Sequence, residues 1–210
     1  MDEYGFQRPK GFNYIAYDKF MSEYVTILVR RAKRWEQLLG KNTDASKPES
    51  WSKLKRCSKL ERFVHKGVPM SLRGSVWMAV SGARDKRNKD PKLYDKMLTK
   101  RVKSKDVTVE QINTDIPRTF PTNIFFRGKD PKSLEQPLFN VLLAFSNHNP
   151  RIGYCQGMNY VAGMLLLVTK DEEKSFWLMK TLLEDLLPDY YCPNLAGLLT
   201  DFKVFTHLIK

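Results

Sequence analysis

The sequence predicts an all-α fold, and three observations carry that prediction. Apolar residues recur at helical spacing in the stretches 17–39, 134–145 and 195–208. Period-2 alternation is short wherever it occurs, and Val107-Thr-Val109 is the one candidate strand. Gly and Pro punctuate rather than dominate, at 11 each in 210 residues, while 42% hydrophobic and 12% aromatic residues suffice for an ordinary core.

Taken in order, Phe20, Tyr24, Ile27, Leu28, Trp35, Leu38 and Leu39 define an amphipathic helix from about Tyr17 to Leu39, ended by Gly40. Lys41 to Ser58, rich in Lys, Ser, Asn and Asp, reads as a polar linker, so residues 1–62 form a helical extension and residues 63–210 a domain. Gly67-Val-Pro69-Met-Ser71 reads as a turn with Ser71 as N-cap of a short helix through Arg73, Val76, Trp77 and Val80 to Gly82. Leu93 to Lys105 is expected to be helical. Ser133-Leu-Glu-Gln136 has capping-box spacing ahead of a helix carrying Leu134, Leu138, Val141, Leu142 and Phe145, stopped by Asn147-His-Asn-Pro150. A Gly-containing loop from Arg151 to Gln156 precedes an apolar helix from Met158 to about Val168, which puts Gln156 at a helix start. Glu172 to Leu187 forms the next helix, halted by Pro188. After Pro193-Asn194 a last helix carries Leu195, Leu198, Leu199, Phe202, Phe205 and Leu208 as its apolar residues.

Composition removes several classes of function. The first residues lack a basic segment followed by an apolar one, and the longest apolar run, Val161 to Val168, is far too short to span a bilayer. Cys57, Cys155 and Cys192 are odd in number and form no C-x-x-C, which fits reduced thiols and a cytoplasmic protein, peripheral to membranes at most. His65, His148 and His207 stand apart, so no metal site is expected. The net charge of +13 is concentrated in residues 50–105, which hold 17 basic and 4 acidic residues. Such a block suits a solvated face or transient contact with an anionic membrane. Nucleic acid is disfavoured, because Arg84 to Lys105 interleaves only Tyr94 as a stacking aromatic.

Two short segments carry the chemistry, Ile112-Asn-Thr-Asp115-Ile-Pro-Arg118 and Tyr154-Cys-Gln156-Gly-Met158. Together they offer an arginine and a glutamine. Hydrolysis of GTP needs a fixed cation for charge developing on the phosphoryl oxygens and an amide to orient the attacking water. No G-x-x-x-x-G-K-[ST] occurs, so a nucleotide would arrive bound to a partner. With Arg73-Gly-Ser-Val-Trp77, these segments resemble, in order, the three signature motifs of TBC domains, the Rab GTPase-activating family.

That resemblance implies a multi-helical TBC fold and GTPase activation on a Rab-family small GTPase, hence a role in vesicle trafficking. Arg118 would be the arginine finger and Gln156 the glutamine finger, both supplied in trans. Asp115, one turn before Arg118, would hold the arginine or its loop. Arg73 and Trp77 would brace the finger region, Tyr154 would be packed core, and Gly157 would permit close backbone approach. No cofactor is expected on this chain, since GTP and Mg²⁺ would be carried by the partner, which makes the protein an activator rather than a catalyst with its own bound substrate. TBC domains continue beyond the matched region, so the domain is expected to be incomplete at its C-terminus, with apolar surface exposed on 172–187 and 195–209. The alternative is a non-catalytic module that binds a GTPase or adaptor.

Overall fold

The computed structural model describes residues 1–39, 57–100, 107–127, 132–187, 189–191 and 194–209. Among them ten α-helices follow one another: α1 (Tyr14–Leu39), α2 (Ser58–His65), α3 (Arg73–Val80), α4 (Ala83–Lys89), α5 (Leu93–Leu98), α6 (Val107–Asp115), α7 (Glu135–His148), α8 (Met158–Thr169), α9 (Glu172–Thr181) and α10 (Ala196–Ile209). No strand forms among the described residues, and the one β-bridge joins Phe6 to Asn123. The all-α expectation therefore holds. The linker expected over 41–58, the stops at Gly40, Pro188 and Pro193, and Cys192 fall wholly or mostly outside the described residues.

The centre of the molecule is α7, which packs against α5, α8 and α9. Its buried side chains Leu138, Val141, Leu142 and Phe145 follow the predicted stripe. They meet Met158, Ala162 and Leu166 of α8 and Phe176, Trp177 and Met179 of α9. Truncating a side chain such as Phe145 to Ala would cost about 3–5 kcal/mol. A second, smaller cluster joins Trp35, Leu60, Val68 and Val76. α3 links the two clusters, sending Val76 into the smaller and Met78 into the larger.

Several local expectations are corrected. Val107-Thr-Val109 is the first turn of α6, not a strand. Burial of Ile112, Asp115, Ile116 and Thr119, a helical stripe, outweighs three alternating residues of β preference. Ser71 caps nothing: it lies within a 3₁₀ turn (Met70–Leu72) closed by the backbone bond from Leu72 N–H to Pro69 O at 2.9 Å. The capping box does not close either. Ser133 Oγ accepts from Glu135 N–H at 3.2 Å, while the Gln136 amide donates to Asn140 at 2.9 Å. The helix expected over Leu93–Lys105 ends at Leu98, where the Asn147 amide donates to Met97 O at 2.9 Å and ties α5 to the end of α7. Beyond Thr181, α9 widens into a π-helical turn (Leu182–Leu186).

Of the two helices expected to expose apolar surface, α10 does so and α9 does not. On α9 the apolar residues from Phe176 to Met179 are buried, as is Leu183, and only Leu186 of the following turn stands exposed. α10 is the reverse, with no buried residue and Phe202, Phe205 and Leu208 all more than half exposed. α1 lies between these extremes. Tyr17, Met21, Tyr24, Leu28 and Leu38 are half-buried and Trp35 fully so, whereas Ile15, Phe20, Val25, Ile27 and Val29 face outward. No helix among the described residues is long and apolar enough to cross a membrane.

Candidate functional site

The motif Ile112-x-x-Asp115-Ile-x-Arg118-Thr119 explains itself once its helical stripe is laid out. Ile112, Asp115, Ile116 and Thr119 occupy the buried face, which leaves Arg118 pointing outward from the 3₁₀ turn (Ile116–Arg118) that ends α6. Its side chain is 52% exposed, against 5% for that of Asp115. The Arg118 Nη2 donates to Asp115 Oδ1 in a charge-assisted pair, and Tyr154 Oη donates to Asp115 Oδ2. One buried carboxylate thus holds both the arginine of the second motif and the tyrosine of the third. Burial, together with the hydrogen bond and charge of Asp115, pushes the Tyr154 phenol well above its ordinary range, so it stays a neutral donor. Arg118 retains further N–H groups beyond the one given to Asp115.

The third motif places its amide differently. Gly157 adopts φ of 102°, a left-handed conformation that favours glycine, and it forms the N-cap of α8. Open space lies where a Cβ would project from Gly157. Met158 and Asn159 turn inward and are buried, while Gln156 is exposed and its side-chain amide bonds to no described residue. Cys155 N–H approaches Met158 Sδ at 3.4 Å, which closes the loop over the start of the helix.

Sequence reasoning missed the residues that join the two loops. Asn159 Oδ1 accepts from Gly157 N–H at 3.1 Å, and its Nδ2 donates to Thr119 Oγ1 at 2.8 Å. Thr119 Oγ1 in turn donates to Asp115 O at 2.8 Å. Both side chains are within 1% of full burial, so this chain of bonds runs through the interior from the Gln156 loop to the Arg118 turn. The available signal was one of position: Thr119 is next to Arg118, and Asn159 follows Met158 on the inward face. Gly163 completes the arrangement, because a Cβ there would stand 2.9 Å from the Phe120 ring that packs behind the arginine turn.

Arg118, Asp115, Tyr154 and Gln156 line one groove of about 680 Å³, which Tyr191 and Leu195 also line. Arg73 and Trp77 do not line it. Trp77 packs half-buried against the main core. Arg73 Nε donates to Val68 O at 3.1 Å, and its guanidinium lies over the Tyr4 ring. The brace expected of Arg73 therefore goes to the N-terminal segment. That segment in turn holds the chain after Arg118, through Asn123 Nδ2 donating to Tyr4 O at 2.9 Å and Gln7 N–H to Thr122 O at 3.2 Å. No group of three or more His, Cys, Asp or Glu among the described residues is placed to hold a metal ion.

Helical architecture and paired motifs together define the class: the chain belongs to the Rab-GTPase-TBC domain family, whose model matches residues 70–210. It is 45% identical over its whole length to growth hormone-regulated TBC protein 1-A of Danio rerio, and spans 56% of that relative. GTPase-activating protein GYP3 of Saccharomyces cerevisiae is 37% identical, with 35% of its length spanned. Among solved structures, the Chlamydomonas flagellar RabGAP TBC domain superposes with a TM-score of 0.71 at 30% identity, over 90% of this chain and 61% of that one.

Proposed function

We propose that this chain accelerates GTP hydrolysis on a Rab-family small GTPase by inserting Arg118 and Gln156 into the partner's nucleotide site. The observation that carries the reading is their convergence: two exposed polar side chains from separate motifs line one groove, joined beneath by Asn159, Thr119 and Asp115. Membership of the Rab-GTPase-TBC family and the names of the relatives support the partner class.

In this mechanism the partner brings GTP and Mg²⁺. Arg118 leaves or shares Asp115 and donates its planar fork to the oxygens of the transferring phosphoryl group. Gln156, whose amide bonds to no described residue, orients the attacking water. Asp115 and Tyr154 are positioning residues, fixing where the guanidinium starts. Residues 63–210 form the activating unit, with 1–62 as its N-terminal extension. The test is phosphate release from a panel of GTP-loaded Rab proteins, with and without the chain. Acceleration on at least one, lost in Arg118→Ala, is the expected result; equal acceleration by that variant would overturn the mechanism.

A further inference from the structure

The sequence spreads its basic residues over a long block, but the structure sorts them. In α4, which opens the densest stretch, Arg87 forms a bidentate pair with Glu173 at 2.8 and 2.7 Å, and Lys86 pairs with Asp185. Those charges are largely answered by acids at and just beyond α9. A different set converges between the end of α1 and α2. Arg30, Arg31 and Arg34 from one helix and Lys59, Arg62 and Lys66 from the other line a groove of about 700 Å³. None of the six forms an ion pair with a described residue. Among the described residues no carboxylate lines the groove, and Glu61 of α2 lines a separate cavity beside His65 and Asp85.

The groove has a firm floor. Trp35 is buried at its base, donating Nε1 to Gly67 O at 3.1 Å and packing edge-on against Phe63. Arg31 is steadied by its bond to Tyr24 Oη at 3.2 Å. Six cations with no ion-pair partner among the described residues, gathered around one concave site, create a positive potential suited to a compact ligand bearing several phosphates. The neighbouring surface decides its source. Ile27 lines the groove and is exposed, and Phe20, two turns earlier on the same face of α1, is exposed as well. A free phosphate ester has no use for those side chains, whereas a bilayer accepts apolar residues beside its charged headgroups. Nucleic acid fits poorly, because Trp35 is buried and offers no face for stacking.

We propose that the groove between α1 and α2 binds the polyphosphorylated headgroup of an anionic membrane lipid and holds the chain on that surface. This goes beyond GTPase activation, and vesicle binding reads it independently of hydrolysis. The test is co-sedimentation at physiological salt with phosphatidylcholine vesicles containing phosphatidylinositol bisphosphate, and with phosphatidylcholine vesicles alone. The native chain should bind the first and not the second, and free inositol hexakisphosphate should displace it. The triple variant Arg30→Glu, Arg34→Glu, Arg62→Glu alters exposed positions and should weaken binding by about tenfold or more, given the contribution of each cation near an anionic surface. A control with Lys89→Glu, Lys92→Glu and Lys96→Glu should change it by less than about twofold on the same grounds. Displacement of the native chain by inositol hexakisphosphate needs no variant, so a folding defect would not hide the answer. Absence of vesicle binding, equal weakening by the control, or capture of free inositol hexakisphosphate without vesicle binding would each overturn the proposal.

Discussion

Arg118 and Gln156 line the same groove but are held by opposite means. The arginine is fixed through its side chain, by a buried carboxylate that Tyr154 also grips. The glutamine is fixed through its backbone, by the left-handed Gly157 and the inward-turned Asn159, with its amide bonded to no described residue. The difference follows from chemistry. A guanidinium has five N–H donors, so it can be tethered through one and still present others. The amide proposed to orient a water has few groups to spare, and backbone placement commits none of them to a described residue. Asn159 is the point at which both arrangements meet.

The sharpest break in this comparison is removal of the tethered group. Arg118→Ala should lower the stimulated hydrolysis rate by about 10³ to 10⁵, and should also lower the thermal midpoint, because it leaves the buried Asp115 carboxylate without its cation. Asn159→Ala should affect both loops at once. It leaves the half-buried Gly157 N–H without its acceptor and the buried Thr119 hydroxyl with only its bond to Asp115 O, at a cost of about 1–3 kcal/mol in denaturant unfolding, together with reduced stimulation. Gly157→Ala should strike only the glutamine side. Forcing a Cβ into the left-handed region costs about 1–2 kcal/mol, and loss of stimulation should exceed any loss of affinity for the GTPase.

Tyr154→Phe should strike only the arginine side, by removing one donor to Asp115 at a cost of about 0.5–1.5 kcal/mol in the same unfolding assay. The smallest effect concerns pH. Burial would raise the Glu184 carboxyl, but bonds from His148, Lys180 and Asn149 outweigh it and hold it down to about 2, below its ordinary value of 4.5. A depressed carboxylate stabilises the fold above its unfolded value, and that contribution is lost as pH falls from about 4.5 toward 2. Asn149 also accepts from Ile152 and Gly153 at the start of the Gln156 loop, so acid should loosen that loop first. Thermal midpoints measured between those pH values should fall more steeply for the native chain than for Glu184→Gln.

Much of this was legible in the sequence, for identifiable reasons. Long apolar stripes such as Leu138 to Phe145 specified their helix and their burial together, because several turns repeat one pattern. Short helices were hidden. Eight residues of α2 give Leu60, Phe63 and Val64 too few turns to establish a period, and α4 has only Ala83 as a buried anchor, being held by ion pairs from α9 that sequence distance conceals. Periodicity also failed to separate α9 from α10: each carries an apolar stripe, yet one is buried and the other exposed. The stripe states which face favours burial, not whether a neighbour supplies it. At the site, Arg118, Asp115, Tyr154 and Gln156 were legible as motif residues and their convergence was not, because it depends on the Asn159 to Thr119 bond across forty positions of sequence. Arg73 went the other way, donating to Val68 O and lying over the Tyr4 ring instead of lining the groove.

The most direct measurement is single-turnover GTP hydrolysis on a responsive Rab protein with the native chain, Arg118→Ala, Gln156→Ala and the double variant, at saturating chain. Two groups acting on one transition state predict that each single change removes most of the stimulation and that the double variant is hardly worse than the more damaging single one. Full stimulation by either single variant would contradict the two-group mechanism.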